Sequence, residues 1–410
     1  MENQKAGTPQ AIVIIAISLL PIMAIVALMP VIPAIIDNFK SMSNILTIAP
    51  MVVSAPGLCV ALFSPYAGYL TDKLGRRKLL LIFTILYGFG GISPLFFQSF
   101  PALMGGRLIL GIGEAFILTI GNTLLGDYFG ASDRAKWLMW QSVVGSVCGT
   151  ALLSLSGYLA SMGWYYPFLV YSLSFLITAG VYFFIFETKA IDSFQLSVDS
   201  RISNNKLSTV NDQLLSTKPV IINYQLMLQI ALTTLLASTL YFVYTLHFSL
   251  ALDSMGIKDR QQVGNYSAIA SIGVPVGGFL FRLISNKSSR VQFAFLFSLI
   301  GLGLIGIGSA ANIQTVVASA WIQQLGGGMA IPILIAWGLK NVPAEYRGRG
   351  MGFWTSGFFL GQFISPLLVS AMRRMTGGLL PAFIVFGIIC LVLAGTNMYL
   401  NKRETLSYKL

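Results

Sequence analysis

Long apolar runs, each near the length of a bilayer-crossing helix, alternate along this chain with short polar punctuation. A helix needs about 20 apolar residues to cross the hydrocarbon of a membrane. Runs bounded by charged or turn residues fall at 10–36, 44–70, 79–98, 101–126, 135–160 and 164–186 in the first half. The second half repeats the pattern at 222–249, 261–284, 291–309, 313–338, 350–371 and 379–399. These runs are continuously apolar rather than alternating, which argues against the strand pattern of a membrane β-barrel. The pattern predicts an all-α membrane protein of twelve transmembrane helices. Between the sixth and seventh runs lies ETKAIDSFQLSVDSRISNNKLSTVNDQLLSTKPVIIN, polar and rich in Ser and Asn. It reads as a connecting loop. The expected division is a six-helix bundle at 1–188, a loop at 189–220 and a second six-helix bundle at 221–410.

Composition agrees with a membrane protein. The chain is 55% hydrophobic and 10% charged, far too little charge to cover a water-soluble fold. A net charge of +12 would suggest a nucleic-acid partner in a soluble chain. Here it follows instead from basic loops that orient the helices. With both termini on one side, that side holds 20 Lys and Arg. The other side holds five: Lys40, Lys258, Arg260, Arg373 and Arg374. Arg107 belongs to neither. The bias predicts cytoplasmic termini. Only Lys5 supplies basic charge before the first run, which is too long for a signal-peptide core and is expected to stay as the first span. Cys59, Cys148 and Cys390 all fall inside apolar runs, so neither a disulfide framework nor a metal site is expected.

The halves repeat one another. DYFGASDRAKWLMW (127–140) after the fourth run parallels KNVPAEYRGRGMGFW (340–354) after the tenth. AGYLTDKLG (67–75) parallels GGFLFRLIS (277–285), with Arg282 in place of Asp72. Two such bundles suggest a midplane cavity with alternating access. The stretch GYLTDKLGRRK (68–78) then resembles motif A of the major facilitator superfamily, matching at Gly68, Asp72, Lys73, Gly75, Arg76 and Arg77. With twelve runs and duplicated halves, the resemblance covers the whole chain. It implies that Asp72 is drawn to the start of span eleven, near Gly350, and that Arg76 pairs with Asp127 at the end of span four. Together with Arg134 these residues would form a cytoplasmic gate. Arg282 and Lys340 stand where the first half has Asp72 and Asp127, so the second half is expected to lack an equivalent latch.

Span four holds two charges, Arg107 and, near the bilayer centre, Glu114. Charges at such depth are costly and by default mark function. Their spacing of seven puts them on nearly one face, about 10 Å apart along the axis. A buried carboxyl beside a cation is a natural proton switch, because burial and the cation act in opposite senses on its charge. RLILG resembles motif B of the superfamily's drug:proton antiporters, and R-x6-E within GIGEA resembles its anion symporters and spinster-like transporters. The first resemblance implies that Arg107 takes part in proton coupling; the second implies that Glu114 is a protonation site and that Arg107 faces the substrate or the acid.

Cavity candidates are softer: Gln141, Tyr241, Tyr244, His247, Trp321, Gln324, Trp354, Phe358 and Gln362. His247 is the chain's only histidine. Polar amides inside spans favour a cavity over a lipid face. Two departures matter. Leu152, Leu153 and Ser156 occupy the Gly and Pro positions of the antiporter motif in span five, and span one lacks the arginine of the anion symporters. The resemblance implies proton-coupled alternating access, with efflux of drug-like or amphiphilic compounds as the leading expectation. Uptake or release of an organic anion, metabolite or siderophore, and uncoupled facilitation, remain alternatives. The partners implied are a small-molecule substrate, protons and the bilayer, for a monomer in an inner membrane, with no nucleic acid and no cofactor beyond the proton gradient. No nucleotide-binding loop, metal cluster or nucleophilic triad points to an enzyme.

Overall fold

The computed structural model describes residues 6–187, 224–341 and 347–407; the expected connecting loop at 189–220 lies outside them. So do the side chains of Asp72 and Arg134, although both residues sit within described helices. Span one is the helix Thr8–Val26, a 3-10 turn Met29–Val31 and the helix Ile32–Asn38. Spans two to five are Ile45–Leu74, Arg76–Ile92, Phe100–Tyr128 and Ala131–Met162. Span six joins Tyr166–Ser172, a 3-10 helix, to Leu173–Phe184. Span seven is Tyr224–Ser254, and span eight is broken into Arg260–Ser271 and Gly273–Ile284. Spans nine to twelve are Ser289–Gly308, Ile313–Asn341, Arg347–Thr376 and Leu379–Ser407.

Among the described residues, eleven spans are long and apolar enough to cross a membrane by composition. Span ten has a spanning length of 29 residues, but Gln323, Gln324 and Gly326–Gly328 dilute its hydrophobicity. Helix ends extend past several expected boundaries. Span eleven starts at Arg347 rather than near 350, and span twelve runs to Ser407 rather than 399. Charged and polar residues continue these helices beyond the apolar run, because backbone hydrogen bonding does not stop where hydrophobicity does.

Prolines shape span two, which contains Pro50, Pro56 and Pro65 inside one helix. Each lacks an N–H and leaves the carbonyl four residues earlier without its helical partner. In a membrane such a carbonyl needs another donor. Pro65 frees Ala61, whose oxygen accepts from the Ser356 hydroxyl of span eleven at 3.2 Å. Pro56 frees Val52, whose oxygen is taken by Arg107. Proline thus supplies acceptors that bind helices to one another.

The halves meet along two seams, span two against span eleven and span five against span eight. On the second seam the backbones nearly touch. A Cβ added at Gly157 would lie 2.8 Å from the Gly264 Cα, and one added at Gly264 would lie 2.6 Å from the Leu153 carbonyl oxygen. Only glycine permits that approach. Thr150 bonds Ser271 at 2.9 Å and Ser154 bonds Asn265 at 2.5 Å along the same seam. On the side opposite the basic loops, Arg260 of span eight pairs with Asp37 of span one and, at 3.1 Å, with Asp253 of span seven. The Thr47 and Ser370 hydroxyls meet across the first seam on that same side. These contacts close the molecule on the side opposite the basic loops.

Candidate functional site

Arg107 is the centre of the first half. It is wholly buried, and its guanidinium reaches three elements at once. Nε donates to the Val52 carbonyl at 2.8 Å, one terminal nitrogen to the Tyr171 hydroxyl at 3.0 Å, and the other to the Ala24 carbonyl at 2.5 Å. The Ala24 acceptor exists because span one breaks: the Leu28 N–H turns to Ile25 instead of Ala24. The same break frees the Ala27 carbonyl, since the Val31 N–H turns to Leu28, and the Ser156 hydroxyl of span five donates to it. Tyr87 of span three donates to the Leu20 carbonyl at 2.6 Å. Arg107 therefore ties spans one, two, four and six together. The spacing of seven suggests a shared cavity wall with Glu114; the structure instead turns the guanidinium inward, to backbone carbonyls that proline and a helix break have released.

Glu114 lies two turns further along span four and is buried. Among the described residues it is the only buried acid. Its Oε2 meets no hydrogen-bond donor, and none of the described ion pairs involves it. Leu118 and Gly121, four and seven residues on, share its helix face. They line a cleft of about 50 Å³ with Ser18, Pro21, Asn122 and Gln141. Gln141 thus lines this cleft, one face of which continues the helix face of Glu114. Asn122, beside it, went unnoticed in the sequence because a lone amide near a span's end resembles an interfacial residue.

The second half presents an aromatic and amide wall. Phe358 of span eleven stacks with Trp354 at 5.4 Å between ring centroids. It meets Phe242 edge-on at 5.5 Å and Tyr241 at 6.5 Å. Gln324 and Gln362 are buried, each with an amide oxygen lacking a partner, as is the Trp354 indole nitrogen. Gln362 approaches span two so closely that a Cβ at Gly57 would lie 3.0 Å from its amide carbon. In the register that aligns Asp127 with Lys340, Glu114 aligns with Gly327 and Arg107 with Ala320. The second half therefore has neither charge. Trp321 is half-buried on span ten. Tyr244 packs on Phe248 at 4.7 Å, and the buried His247 ring nitrogen Nδ1 faces the Val243 carbonyl of its own helix at 3.1 Å. Neither belongs to the Phe358 cluster.

The GYLTDKLGRRK stretch forms a tight turn. Gly75 has φ +90°, in the region that glycine alone adopts without strain. Arg76 pairs with Asp127. Arg77 donates to the Tyr182 carbonyl at 2.6 Å, Lys73 lies 5.8 Å from the Tyr69 ring centroid, and a Cβ at Gly68 would lie 4.0 Å from Thr119. Sequence reasoning missed Glu187, at the end of span six. Its carboxylate accepts from the backbone N–H groups of Arg76 at 2.5 Å and Arg77 at 3.1 Å. It caps the positive start of span three, where an acid is favoured. The signal lay in an ordinary acid just past an apolar run, which only the fold brings 111 residues back along the chain. Arg260 was likewise visible only as a loop charge. Among the described residues there is no group of three or more His, Cys, Asp or Glu placed to hold a metal.

Comparison with known proteins places this arrangement. The family model described as Major Facilitator Superfamily matches residues 14–290 and 258–407. The chain is similar to the tetracycline resistance protein, class B, of Escherichia coli, with 28% identity over 179 residues. That alignment covers 43% of this chain and 44% of the relative. It is also similar to the bacillibactin exporter of Bacillus subtilis (strain 168), with 24% identity over 369 residues, 88% of this chain and 89% of that one. Among solved structures, a D-xylose–proton symporter matches with a TM-score of 0.76 over 95% of this chain and 96% of that chain. At 14% identity that likeness shows the fold alone.

Proposed function

The chain belongs to the Major Facilitator Superfamily, and we propose that it exports small amphiphilic organic compounds in exchange for protons. It is a multi-pass membrane transporter, not an enzyme. The proposed setting is a bacterial cytoplasmic membrane, with both termini and the basic loops inside, so the shut side faces out. One observation carries the coupling: Glu114 is the only buried acid among the described residues, with an oxygen that meets no donor. An ionised carboxylate in that position is costly. A conformation that offers it water or a donor is favoured by ionisation, so proton loss and change of access are linked.

The substrate class follows from the opposite wall. Tyr241, Trp354 and Phe358 offer aromatic faces, and Gln324 and Gln362 offer amide oxygens that meet no donor. That surface suits a largely apolar body with a few polar groups. Two relatives, a bacillibactin exporter and a tetracycline resistance protein, support export. An organic-anion symporter would call for a cation at the cavity, whereas Arg107 is occupied by Val52, Ala24 and Tyr171. The test is a proteoliposome screen of lipophilic cations against organic anions under an imposed pH gradient. Lipophilic compounds should accumulate against the direction of proton flow. Accumulation of anions along with protons would replace this reading with symport.

Gln362→Leu gives a sharper signature of the wall. Removing a buried amide oxygen that meets no donor should raise stability by about 1–3 kcal/mol, seen as a higher Tm in detergent. The same change should raise KM several-fold, because the amide is held for substrate rather than for folding. A higher Tm with unaltered KM would take Gln362 out of the site.

Two gates are proposed, and they should respond in opposite directions. Asp72 and its neighbours hold the inner side shut in the outward-facing state, and Arg260 with Asp37 holds the outer side shut. Arg260→Gln should speed labelling, by an impermeant reagent from outside, of a cysteine placed at Ser154 in a background without Cys59, Cys148 and Cys390. Asp72→Ala should slow it. Equal labelling rates in both variants would remove the two-gate account.

A further inference from the structure

Along the seam between spans five and eight, one face of span five can be followed from end to end. Met139, Val143, Val147, Thr150, Ser154 and Gly157 recur every three or four residues, so they share that face. The outer three meet span eight: Thr150 bonds Ser271, Ser154 bonds Asn265, and Gly157 lies against Gly264. The inner three are instead 56%, 47% and 64% exposed. Lys136, one turn further in, is exposed as well. Span eight supplies the reason. It breaks at Ile272, and its inner segment, Gly273–Ile284, leans on span ten. A Cβ added at Gly273 would lie 2.6 Å from the Trp321 carbonyl oxygen, and one at Gly277 would meet the Leu325 carbonyl. The face that Gly264, Ala268 and Ser271 turn to span five continues past the break as Pro275, Phe279 and Arg282. All three are exposed.

The two seams therefore differ. The first is joined from Thr47 and Ser370, through Gly57 and Gln362, to Ala61 and Ser356, about 21 Å along span two. The second is joined from Gly157 to Thr150, about 10 Å along span five. Inward of Thr150 a slot remains. From Val147 to Lys136 it is about 16 Å tall, close to the half of a hydrocarbon core of about 30 Å that one leaflet supplies. Its walls are apolar, Met139, Val143 and Val147 on one side and Pro275 and Phe279 on the other, as suits a surface turned to hydrocarbon rather than water. Lys136 and Arg282 stand at its inner edge, where long cationic side chains reach lipid phosphates. Gln141 follows Met139 by two residues and lines the cleft that continues the Glu114 face. Slot and cleft thus flank the same turn of span five.

We propose that this slot is a doorway from the inner leaflet, through which the exported amphiphile enters the cavity from the membrane rather than from the cytoplasm. The inference rests on the export reading above and adds the route to it. The polar end of the compound travels at the level of Lys136 and Arg282, and its apolar body passes between Val143 and Phe279. That body gives up little on the way, because the walls and the lipid tails are alike in polarity. Compounds confined to water reach the cavity by the open basic-loop side instead. The first seam is joined over the depth at which the second is open, so the doorway lies on one flank of the molecule.

The test places a nitroxide side chain at Val143, Val147 or Phe279 of the full-length protein, without Cys59, Cys148 and Cys390, in lipid vesicles. Oxygen, which concentrates in hydrocarbon, should relax all three more strongly than a water-soluble nickel chelate does, as at Leu176, 70% exposed on span six. Stronger relaxation by nickel would make the slot part of an aqueous vestibule and overturn the proposal, leaving export untouched. Flux supplies the second arm, with butylammonium and dodecylammonium compared in proteoliposomes. Val147→Trp and Phe279→Trp each narrow the slot. Each should slow dodecylammonium several-fold and leave butylammonium unchanged. Both positions are exposed, so both variants should unfold at the wild-type Tm. Equal slowing of the two amines, or no slowing of either, would overturn the doorway. Failure of the wild type to move either amine would instead count against the export reading, and the nitroxide result decides the slot on its own.

Discussion

Replacing Glu114 by glutamine should leave the protein folded and able to bind its substrate but unable to concentrate it. The amide keeps the size of the acid and removes its charge change, so the link between ionisation and access is lost. In proteoliposomes with an imposed pH gradient, the wild-type protein should accumulate solute. Glu114→Gln should stop at equal concentrations on the two sides. Exchange of labelled for unlabelled solute should continue in the variant, since exchange needs no net proton movement. Transport should also lose its dependence on pH, because Glu114 is the only buried acid among the described residues. Accumulation by Glu114→Gln at the wild-type ratio would rule the residue out as the proton carrier.

The second large effect is on stability. Arg107→Met should destabilise the protein by about 3–5 kcal/mol, because three hydrogen bonds from a charged donor to buried acceptors are lost. Methionine fills similar volume but leaves the Val52 and Ala24 carbonyls without the donor that Arg107 gave them. The Val52 carbonyl would be orphaned outright, at about 1–3 kcal/mol, whereas the Tyr171 hydroxyl stays within reach of Ala24 at 3.4 Å. Arg107→Lys should recover only part of the loss, because a single ammonium cannot reproduce the planar fork of a guanidinium. Thermal unfolding in detergent gives the ranking: wild type, then Lys, then Met. Arg107 is thus assigned a positioning role, holding spans one, two, four and six around the face that carries Glu114. A variant that unfolds like the wild type yet fails only in coupling would instead make Arg107 part of the proton path.

These two residues mark what the sequence could and could not disclose. Twelve spans were legible because length and hydrophobicity are direct requirements of the bilayer. The Gly75 turn was legible because its conformation admits little else than glycine. That Arg107 and Glu114 matter was legible from their cost at depth. Their surroundings were not. In a soluble helix the polar face marks the outside. In a membrane the lipid face and the protein face are both apolar, so the rotation of span four about its axis leaves no pattern. Arg107 could be aimed at a cavity or at a carbonyl, and only the proline of span two and the break in span one decide it. Glu187 and the Asp37–Arg260 pair were hidden for another reason. Each is an ordinary charge at a span's end, and its partner lies 111 or 223 residues away.

The asymmetry of the halves connects these observations. The first half holds the buried acid, the arginine hub and the Arg76–Asp127 pair. The second supplies Gly327, Ala320 and Lys340 in register with Glu114, Arg107 and Asp127, and the aromatic wall of Tyr241, Trp354 and Phe358. Proton handling and solute contact are therefore proposed to sit on opposite bundles. Rocking of one against the other would join them.

Proton counterflow tests that central claim most directly. Proteoliposomes are loaded with a pH-sensitive dye, no pH gradient is imposed, and a gradient of a lipophilic cation identified in the screen is applied. In the wild-type protein, solute entering the vesicle should drive protons out, and the internal pH should rise with solute flux. In Glu114→Gln the solute should still move down its gradient while the internal pH stays level. Proton movement with the solute, or undiminished counterflow in Glu114→Gln, would contradict the account.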